Sequence, residues 1–297
     1  MKRIVFLLSF LTVALMAGAQ DFQTEIAQID VPSFNGKTLA KAPAGKSRTL
    51  QLVRTKFSTT LDDYNVLALP NLRLGNIIGH PTLGWDDTDF SVPEGVPAVY
   101  DGEWALNDVF TDGDYPVAIY GRMPKDEPLS WGETEKQISC RGRDPHLIML
   151  LDPSKEVKKV YNTRNITISP KDNTFQLVQW AVVKDGVLYF SECAHTAPNK
   201  DSQQDYLVAI DTRTDETLWM SKPRTVNSNN FLIVDNSIIC GLGGSGITDY
   251  IYVLNRFTGV KTHEYWIPTA AHWFAIGEDN MLYATLYDRH IAFKLAR

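Results

Sequence analysis

Cysteine is scarce in this chain of 297 residues, and its few copies lie far apart. The three cysteines are Cys140, Cys193 and Cys240, and no two of them have the Cys-x-x-Cys spacing of a zinc or haem site. We interpret them as packing residues within strands, because a free cysteine packs like a small hydrophobe. Their odd number leaves at least one thiol outside any disulfide, and the pairing of the other two stays open.

Basic residues do not outnumber acidic ones, and long apolar runs are missing after the N-terminus. The chain has 29 Lys+Arg against 35 Asp+Glu and a net charge of −6, without a basic run. This charge makes it a poor candidate for binding nucleic acid or an anionic membrane surface. No later run is long enough to span a bilayer, and helical periodicity is almost absent.

The N-terminus has the three parts of a secretory signal peptide. Lys2 and Arg3 precede the apolar stretch Ile4–Met16, and a small-x-small sequence follows at residues 17–19. We predict cleavage after Ala19 and export to the periplasm or beyond, as a soluble protein with a net charge of −8. Because no cysteine directly follows the apolar stretch, we do not expect a lipoprotein.

Three segments begin alike, each with a two-residue turn followed by a run of strand-forming residues. The turns are Asp-Gly or Asp-Asn and start at Asp185, Asp235 and Asp279. Aspartate, asparagine and glycine tolerate the positive φ angles of a tight hairpin, and another apolar run precedes each turn. The pattern therefore predicts a β-hairpin at the start of each repeated unit.

A second element recurs downstream of each hairpin. Tyr206–Asp211 is matched by Tyr250–Asn255 and by Leu147–Asp152, and Ile291–Leu295 is a shortened copy. A turn follows, and then a strand that ends in tryptophan at Trp219 and Trp266. The unit thus has four strands and repeats every 44 to 50 residues, counted between the aligned aspartates.

Four-stranded units at this period predict the blades of a β-propeller, because stacked blades cover both faces of each sheet. We expect a single all-β domain over residues 20–297 with five antiparallel blades, or six or seven if residues 20–100, which are irregular and partly linker-like, fold more regularly. Residues 112–120 and 147–161 are expected to form one of the five blades, with a polar insertion between its strands. The last unit lacks its outermost strand, so a segment between Phe22 and Phe57 is expected to close the ring.

The repeat resembles that of the PQQ-like propellers. It reads Val-Ala-Ile-Asp, then a turn with Thr-Asp or Thr-Gly, then a strand ending in tryptophan, and it is clear over residues 175–297. That family includes quinoprotein dehydrogenases and the propellers of outer-membrane assembly lipoproteins, so the resemblance implies the fold more than the function. The chain is short for an eight-bladed dehydrogenase and has no adjacent cysteine pair, and we predict no cofactor.

Polar residues gather in the loops expected at one end of the central channel. Carboxylate, imidazole, guanidinium and indole groups there suit a polar ligand such as a sugar, whose apolar face stacks on tryptophan. The predicted ligand-binding residues are His80, Arg143, Glu192, His195, His272 and Trp273. If Trp273 is a packing residue instead, its removal lowers stability and leaves the affinity of each folded molecule unchanged. The histidines lack the close spacing of a zinc site, and we predict no metal.

Two short motifs resemble those of five-bladed furanosidases of the invertase type. Arg143-Asp144-Pro145 precedes Glu192-Cys193, and the resemblance implies that Asp144 stabilises the transition state while Glu192 is the acid. The nucleophile motif expected near the N-terminus is missing. Gly241–Gly246 has Gly-x-Gly-x-x-Gly spacing, but a strand follows it where a dinucleotide site needs a helix.

Three functions are compatible with these patterns. The first is an exported propeller that binds a polar small molecule or a glycan and catalyses nothing. The second is a carbohydrate-active hydrolase or lyase that uses Asp144 and Glu192. The third is a structural subunit of an envelope assembly with a protein partner.

Overall fold

The computed structural model of the protein describes residues 26–28, 41–60, 72–73, 95–97, 99–101, 104–111, 113–122, 146–154, 156–163, 176–194 and 204–297. The predicted signal peptide, Cys140 and most of the irregular region before residue 95 lie outside them. Within the described residues every long regular element is a strand, which confirms the all-β prediction. No helix in this part of the chain has the length and apolar character needed to cross a membrane.

The strands of the described residues are numbered in chain order. They are β1 (Ile26–Gln28), β2 (Gln51–Thr60), β3 (Leu72–Arg73), β4 (Val99–Tyr100), β5 (Trp104–Phe110), β6 (Val117–Arg122), β7 (His146–Leu151), β8 (Val157–Asn162), β9 (Gln176–Lys184), β10 (Val187–Ala194), β11 (Tyr206–Asp211), β12 (Thr217–Met220), β13 (Leu232–Val234), β14 (Ser237–Leu242), β15 (Tyr250–Asn255), β16 (Lys261–Trp266), β17 (Ala271–Gly277), β18 (Met281–Leu286) and β19 (Arg289–Ala296).

These strands form four sheets, each built on a four-stranded antiparallel unit. The first blade is β5–β8, the second β9–β12, the third β13–β16, and the fourth joins β17–β19 to β2. Short strands extend two of the sheets: β4 pairs with β5 at the edge of the first sheet, and β3 pairs with β17 at the edge of the fourth. At the other edge of the first sheet, β1 pairs with β8 as a parallel strand. Strand-to-strand contacts join the first blade to the second and the third to the fourth, so the sheets are the blades of a β-propeller. The fifth blade expected around residues 65–78 falls on a segment of which only β3 is described.

The three predicted hairpins lie at equivalent places, between the first and second strands of the second, third and fourth blades. Asp185 and Gly186 have φ angles of 53° and 75°, and Asp235 has φ 52°. The third hairpin differs slightly, because its loop spans residues 278–280 and Asn280 takes the positive φ of 58°. Asp279 instead accepts hydrogen bonds from Met281 N at 3.1 Å and Tyr283 Oη at 2.9 Å.

The aspartates and the asparagine at the ends of the third strands, or directly after them, have one physical role. Each carboxylate or amide oxygen accepts a backbone N–H from the turn that follows: Glu156 N to Asp152 at 2.9 Å, Arg213 N to Asp211 at 2.9 Å, and Phe257 N to Asn255 at 3.0 Å. Such side-chain caps are what aspartate and asparagine supply in tight turns. The pairing of the third and fourth strands also shifts register at the same step in all three blades.

That register shows which residues of the fourth strands are equivalent. Each of three residues, Lys159, Trp219 and His263, pairs with the third-strand residue that lies two positions before the capping Asp or Asn of its blade. Lys159 Nζ donates to the Thr212 carbonyl at 2.7 Å, and Trp219 Nε1 donates to the Arg256 carbonyl at 2.9 Å. Both donors therefore bind the same carbonyl in the turn of the next blade. The predicted match between Trp219 and Trp266 is wrong, because Trp266 pairs with Tyr250 further along the strand and is 59% exposed.

Gly259 lies directly beneath the ring of Trp219. A Cβ atom there would be 2.5 Å from Trp219 Cε3, and the φ angle of Gly259 is +66°. We expect Gly259→Ala to lower the free energy of unfolding by about 2–3 kcal/mol, because it adds an overlap to backbone strain. Gly186→Ala is the matched control for denaturant unfolding: its φ is +75° with no atom within 4 Å, so it should cost about 1 kcal/mol. Equal losses in the two variants would contradict this packing account.

The N-terminal region completes the fourth blade, as predicted. β2 pairs antiparallel with β19, from Gln51 opposite Ala296 to Thr60 opposite Arg289. Leu52 is 4% exposed and packs in a core cluster with Ile291 and Phe293. The strand extends three residues beyond the predicted limit at Phe57.

Two of the cysteines are free and buried within strands, as predicted from the sequence. Cys193 Sγ donates to the Val226 carbonyl at 3.3 Å, and Cys240 Sγ donates to the Thr225 carbonyl at 3.5 Å. Burial raises the pKa of both thiols, that of Cys240 to about 12. Thiols held protonated in this way are poor nucleophiles, so both side chains serve packing.

Candidate functional site

Four polar residues meet near the start of β9 in the second blade and of β17 in the fourth blade. Gln179 belongs to β9, His272 to β17, Asn229 to the connection between β12 and β13, and Tyr287 to the turn after β18. Gln179 Nε2 donates to Asn229 Oδ1 at 3.0 Å, and Asn229 N donates to the His272 carbonyl at 2.8 Å. The rings of His272 and Tyr287 have centroids 6.0 Å apart. We call these four residues the mouth.

Two further asparagines fix the connection that carries Asn229. The amide of Asn227 donates to Gly243 O at 2.6 Å and accepts from Gly243 N at 2.9 Å. The amide of Asn230 pairs with the backbone N and O of Phe274, both at 2.8 Å. Each amide thus bonds to both the N–H and the C=O of one residue, Gly243 of the third blade or Phe274 of the fourth, as a neighbouring strand would. These bonds hold Asn229, which lies between the two asparagines, in place.

An aromatic layer lies directly below the mouth. Trp180 and Trp273 follow Gln179 and His272 in the chain, and their rings meet edge to face with centroids 5.9 Å apart. Phe110 of the first blade contacts Trp180 with centroids 4.4 Å apart. Side chains of three inner strands therefore fill the space between the blades.

Trp273 belongs to this layer. It is 5% exposed, and Trp180 is 1% exposed. A stacking anchor needs an accessible ring face, so this burial favours the packing role for Trp273 over the ligand-stacking role. Tyr287, by contrast, is 56% exposed and is the accessible aromatic ring of the mouth.

Glu192 is a buried carboxyl at the end of β10. It pairs with Val178 of β9, one residue from Gln179, and with Tyr206 of β11. Its side chain is 3% exposed, and Oε2 has no hydrogen-bond partner among the residues that the structure describes. Desolvation raises its pKa from 4.5 to about 8, so the carboxyl is protonated at neutral pH.

His272 is also uncharged at neutral pH. It is half-buried, and desolvation lowers the pKa of its imidazole below the ordinary value of 6.5. The other members of the mouth are two amides and a phenol. The mouth therefore offers neutral hydrogen-bond donors and acceptors without a formal charge.

The structure brings only part of the predicted site together. His272 lies in the mouth, Trp273 lies below it, and Glu192 lies one strand away from Gln179. His80, Arg143, Asp144 and His195 lie outside the described residues. Among the residues described, no group of three or more His, Cys, Asp or Glu side chains could hold a metal ion.

Sequence reasoning missed Gln179, Asn229 and Tyr287. Gln179 stands inside an apolar strand pattern, and it reaches the mouth because the register of β9 and β10 shifts between Ser191 and Glu192. The run Asn227–Asn230 between two strands was the available signal, because clustered asparagines often bond to backbone groups.

No family model and no curated protein matches the chain. Among solved structures it is similar to a europium-containing methanol dehydrogenase, with 14% identity and a TM-score of 0.32 over 55% of this chain and 25% of the other. It is also similar to BamB from Moraxella catarrhalis, with 13% identity and a TM-score of 0.29 over 67% of this chain and 69% of the other. The chain thus spans about a quarter of the methanol dehydrogenase. The four sheets of the chain itself establish the fold.

Proposed function

We propose that this protein is an exported binding propeller that takes an uncharged polar ligand of the carbohydrate type at the mouth and catalyses nothing there. The observation that carries the proposal is the array of Gln179, Asn229 and His272 above a closed aromatic layer. A few oriented polar groups over an apolar floor are typical of small-molecule sites. Export is supported by the signal pattern of residues 1–19.

The chemistry of the mouth favours a neutral polyol over an ion. The amides of Gln179 and Asn229 carry donors and acceptors beyond those used in their mutual bond, which suits hydroxyl groups that donate and accept. The four residues of the mouth carry no formal charge that would offset the desolvation of an ionic ligand. The exposed ring of Tyr287 supplies a flat surface for the apolar face of a sugar.

We expect Tyr287→Ala to weaken the binding of a neutral oligosaccharide by about 1–3 kcal/mol, with little change in melting temperature. Trp273→Ala should do the reverse, lowering the melting temperature and leaving the affinity of each folded molecule unchanged, because its ring is buried. A glycan panel identifies the ligand, and calorimetric titration with thermal unfolding measures both effects. Tyr283→Ala, in the middle of β18 beyond the mouth, is the control variant.

Two results would overturn the proposal. The first is full affinity in a Tyr287→Ala and His272→Ala double variant that stays folded. The second is an oligosaccharide affinity that falls equally in Tyr283→Ala. Loss of affinity in Trp273→Ala without loss of stability would restore Trp273 as a stacking anchor.

A hydrolytic function is the second candidate, because the buried carboxyl of Glu192 is protonated at neutral pH, as a general acid must be. If Glu192 is the acid, Glu192→Gln should abolish the release of reducing sugar from furanosides and leave the fold intact. Binding of an oligosaccharide that the wild-type protein never cleaves would exclude this candidate and keep the first.

A further inference from the structure

The outer hairpin of the third blade carries aromatic rings on one face. Tyr250 and Tyr252 are two residues apart in β15 and so share a face, and Trp266 of β16 pairs directly with Tyr250. The two tyrosine rings are stacked, with centroids 5.6 Å apart and an angle of 13° between their planes. Trp266 is 59% exposed, the highest value among the exposed large apolar residues of the described chain.

Basic side chains lie near these rings. Lys261 Nζ lies 3.3 Å from the ring centroid of Tyr252. Burial lowers the pKa of Lys261, and the charges of Lys222 and Arg224, in the connection after β12, lower it further. The carboxylate of Glu264, paired with Tyr252, acts in the opposite direction. The lateral patch, as we call it, consists of Tyr250, Tyr252, Trp266, Lys222, Arg224, Lys261 and Glu264.

The lateral patch is mainly basic, whereas the protein as a whole is acidic. Lys222, Arg224 and Glu264 all act electrostatically on Lys261, so three of the four charged side chains of the patch are basic, whereas the whole chain has a net charge of −6. Basic side chains that lie close together repel one another, and a bound anion relieves that repulsion. The patch is therefore complementary to a negatively charged ligand.

The aromatic rings and Glu264 narrow the class of ligand. A simple inorganic anion or an acidic peptide binds the basic side chains but makes no favourable contact with an exposed indole or with the carboxylate beside it. A sugar ring stacks its apolar face on Trp266, its hydroxyl groups donate to Glu264, and a carboxylate on the ring binds Lys261. We propose that the lateral patch is a second binding site, separate from the mouth, for an acidic oligosaccharide with carboxylate groups.

The experiment compares three probes on the whole protein by calorimetric titration: an oligogalacturonate, a neutral galactose oligomer and a polyglutamate peptide. We expect the oligogalacturonate to bind most tightly and its affinity to fall as salt is added. Lys261→Gln and Trp266→Ala should each weaken it by about tenfold, as the loss of one charge-assisted bond or one stacked ring does. Lys294→Gln, an exposed lysine of β19, is the control and should leave the affinity unchanged.

Several outcomes would overturn the proposal. Equal binding of the neutral oligomer removes the role of the charge, and tighter binding of polyglutamate assigns the patch to a peptide. Full oligogalacturonate affinity in a folded Trp266→Ala variant removes the stacking role. Tyr287→Ala tests the mouth separately, because loss of neutral-sugar binding there leaves the lateral patch unaffected.

Discussion

Glu192→Gln should raise the free energy of unfolding at pH 8 by about 3–5 kcal/mol, the largest gain that we expect from a single substitution. Glutamine keeps the size of the side chain but cannot ionise. Glu192 is 3% exposed, and burial raises its pKa from 4.5 to about 8. Between these two pH values the folded protein holds a proton that the unfolded chain has released. Its free energy of unfolding therefore falls as the pH rises through this window, and the variant lacks that fall.

His146 has the opposite effect on the acid side. It is buried at the start of β7, and desolvation lowers its pKa from 6.5 to about 4. Between pH 6.5 and about 4, His146 is protonated in the unfolded chain but not in the folded protein, so the free energy of unfolding falls as the pH falls toward 4. The contributions of Glu192 and His146 should offset each other between pH 4.5 and 6.5 and leave a plateau there.

Urea unfolding of the wild type and the variant at a series of pH values measures both effects. Glu192→Gln should flatten the alkaline limb. It should also turn the plateau between pH 4.5 and 6.5 into part of the acid limb, because the contribution of His146 is no longer offset there. Glu216→Gln changes an exposed glutamate and should stay within about 0.5 kcal/mol of the wild type at every pH. An alkaline limb that persists in Glu192→Gln would show that another group causes it.

Removal of β2 should cost at least about 5 kcal/mol, as much as the whole stability of many domains. β2 covers the edge of β19 from residue 289 to residue 296 and buries Leu52 against Phe293. β2 also ties the fourth blade to the third, since Leu52 N donates to Tyr265 Oη at 2.8 Å. Leu50 N, directly before β2, adds a second bond to Ser237 Oγ at 2.8 Å. A chain without it exposes the edge of β19 and loses those bonds.

A chain that begins after Thr60 tests this, with circular dichroism during heating as the readout. We expect no cooperative transition near the melting temperature of the full protein. A synthetic peptide of residues 41–60 should restore the transition, and the same peptide with Leu52→Asp should not. A truncated chain that melts like the intact protein would contradict the role of β2 in closure.

The elements that the sequence predicts best are those with local causes. The hairpins at Asp185 and Asp235 and the capped turns after Asp211 and Asn255 depend on residues within a few positions, so the same pattern appears in the second and third blades. Closure by an N-terminal strand followed from the missing strand of the last unit. Trp266 was matched to Trp219 by residue type alone. It lies 11 positions after Asn255, whereas Trp219 lies 8 positions after Asp211. Because the register shifts at the same step in both blades, His263 takes the place of Trp219.

The candidate site was less predictable, because it exists only where blades meet. Gln179 and His272 belong to different blades, and Asn229 connects them only after Asn227 and Asn230 have bonded to the third and fourth blades. His272 was found because it begins a strand beside a tryptophan. The burial of Trp273 depends on Trp180, 93 positions earlier in the chain, and no local pattern contains that contact.

Closure by β2 also sets a limit on how fast the protein can fold. The contact between Thr55 and Ala292 joins residues that are 237 positions apart. During synthesis β2 emerges before β19 and stays without its partner until β19 has been made. Because loop closure over such a separation is slow, the docking of β2 on β19 should be the final and rate-limiting step, and the unpaired edges of both strands are the point at which chains can join each other instead.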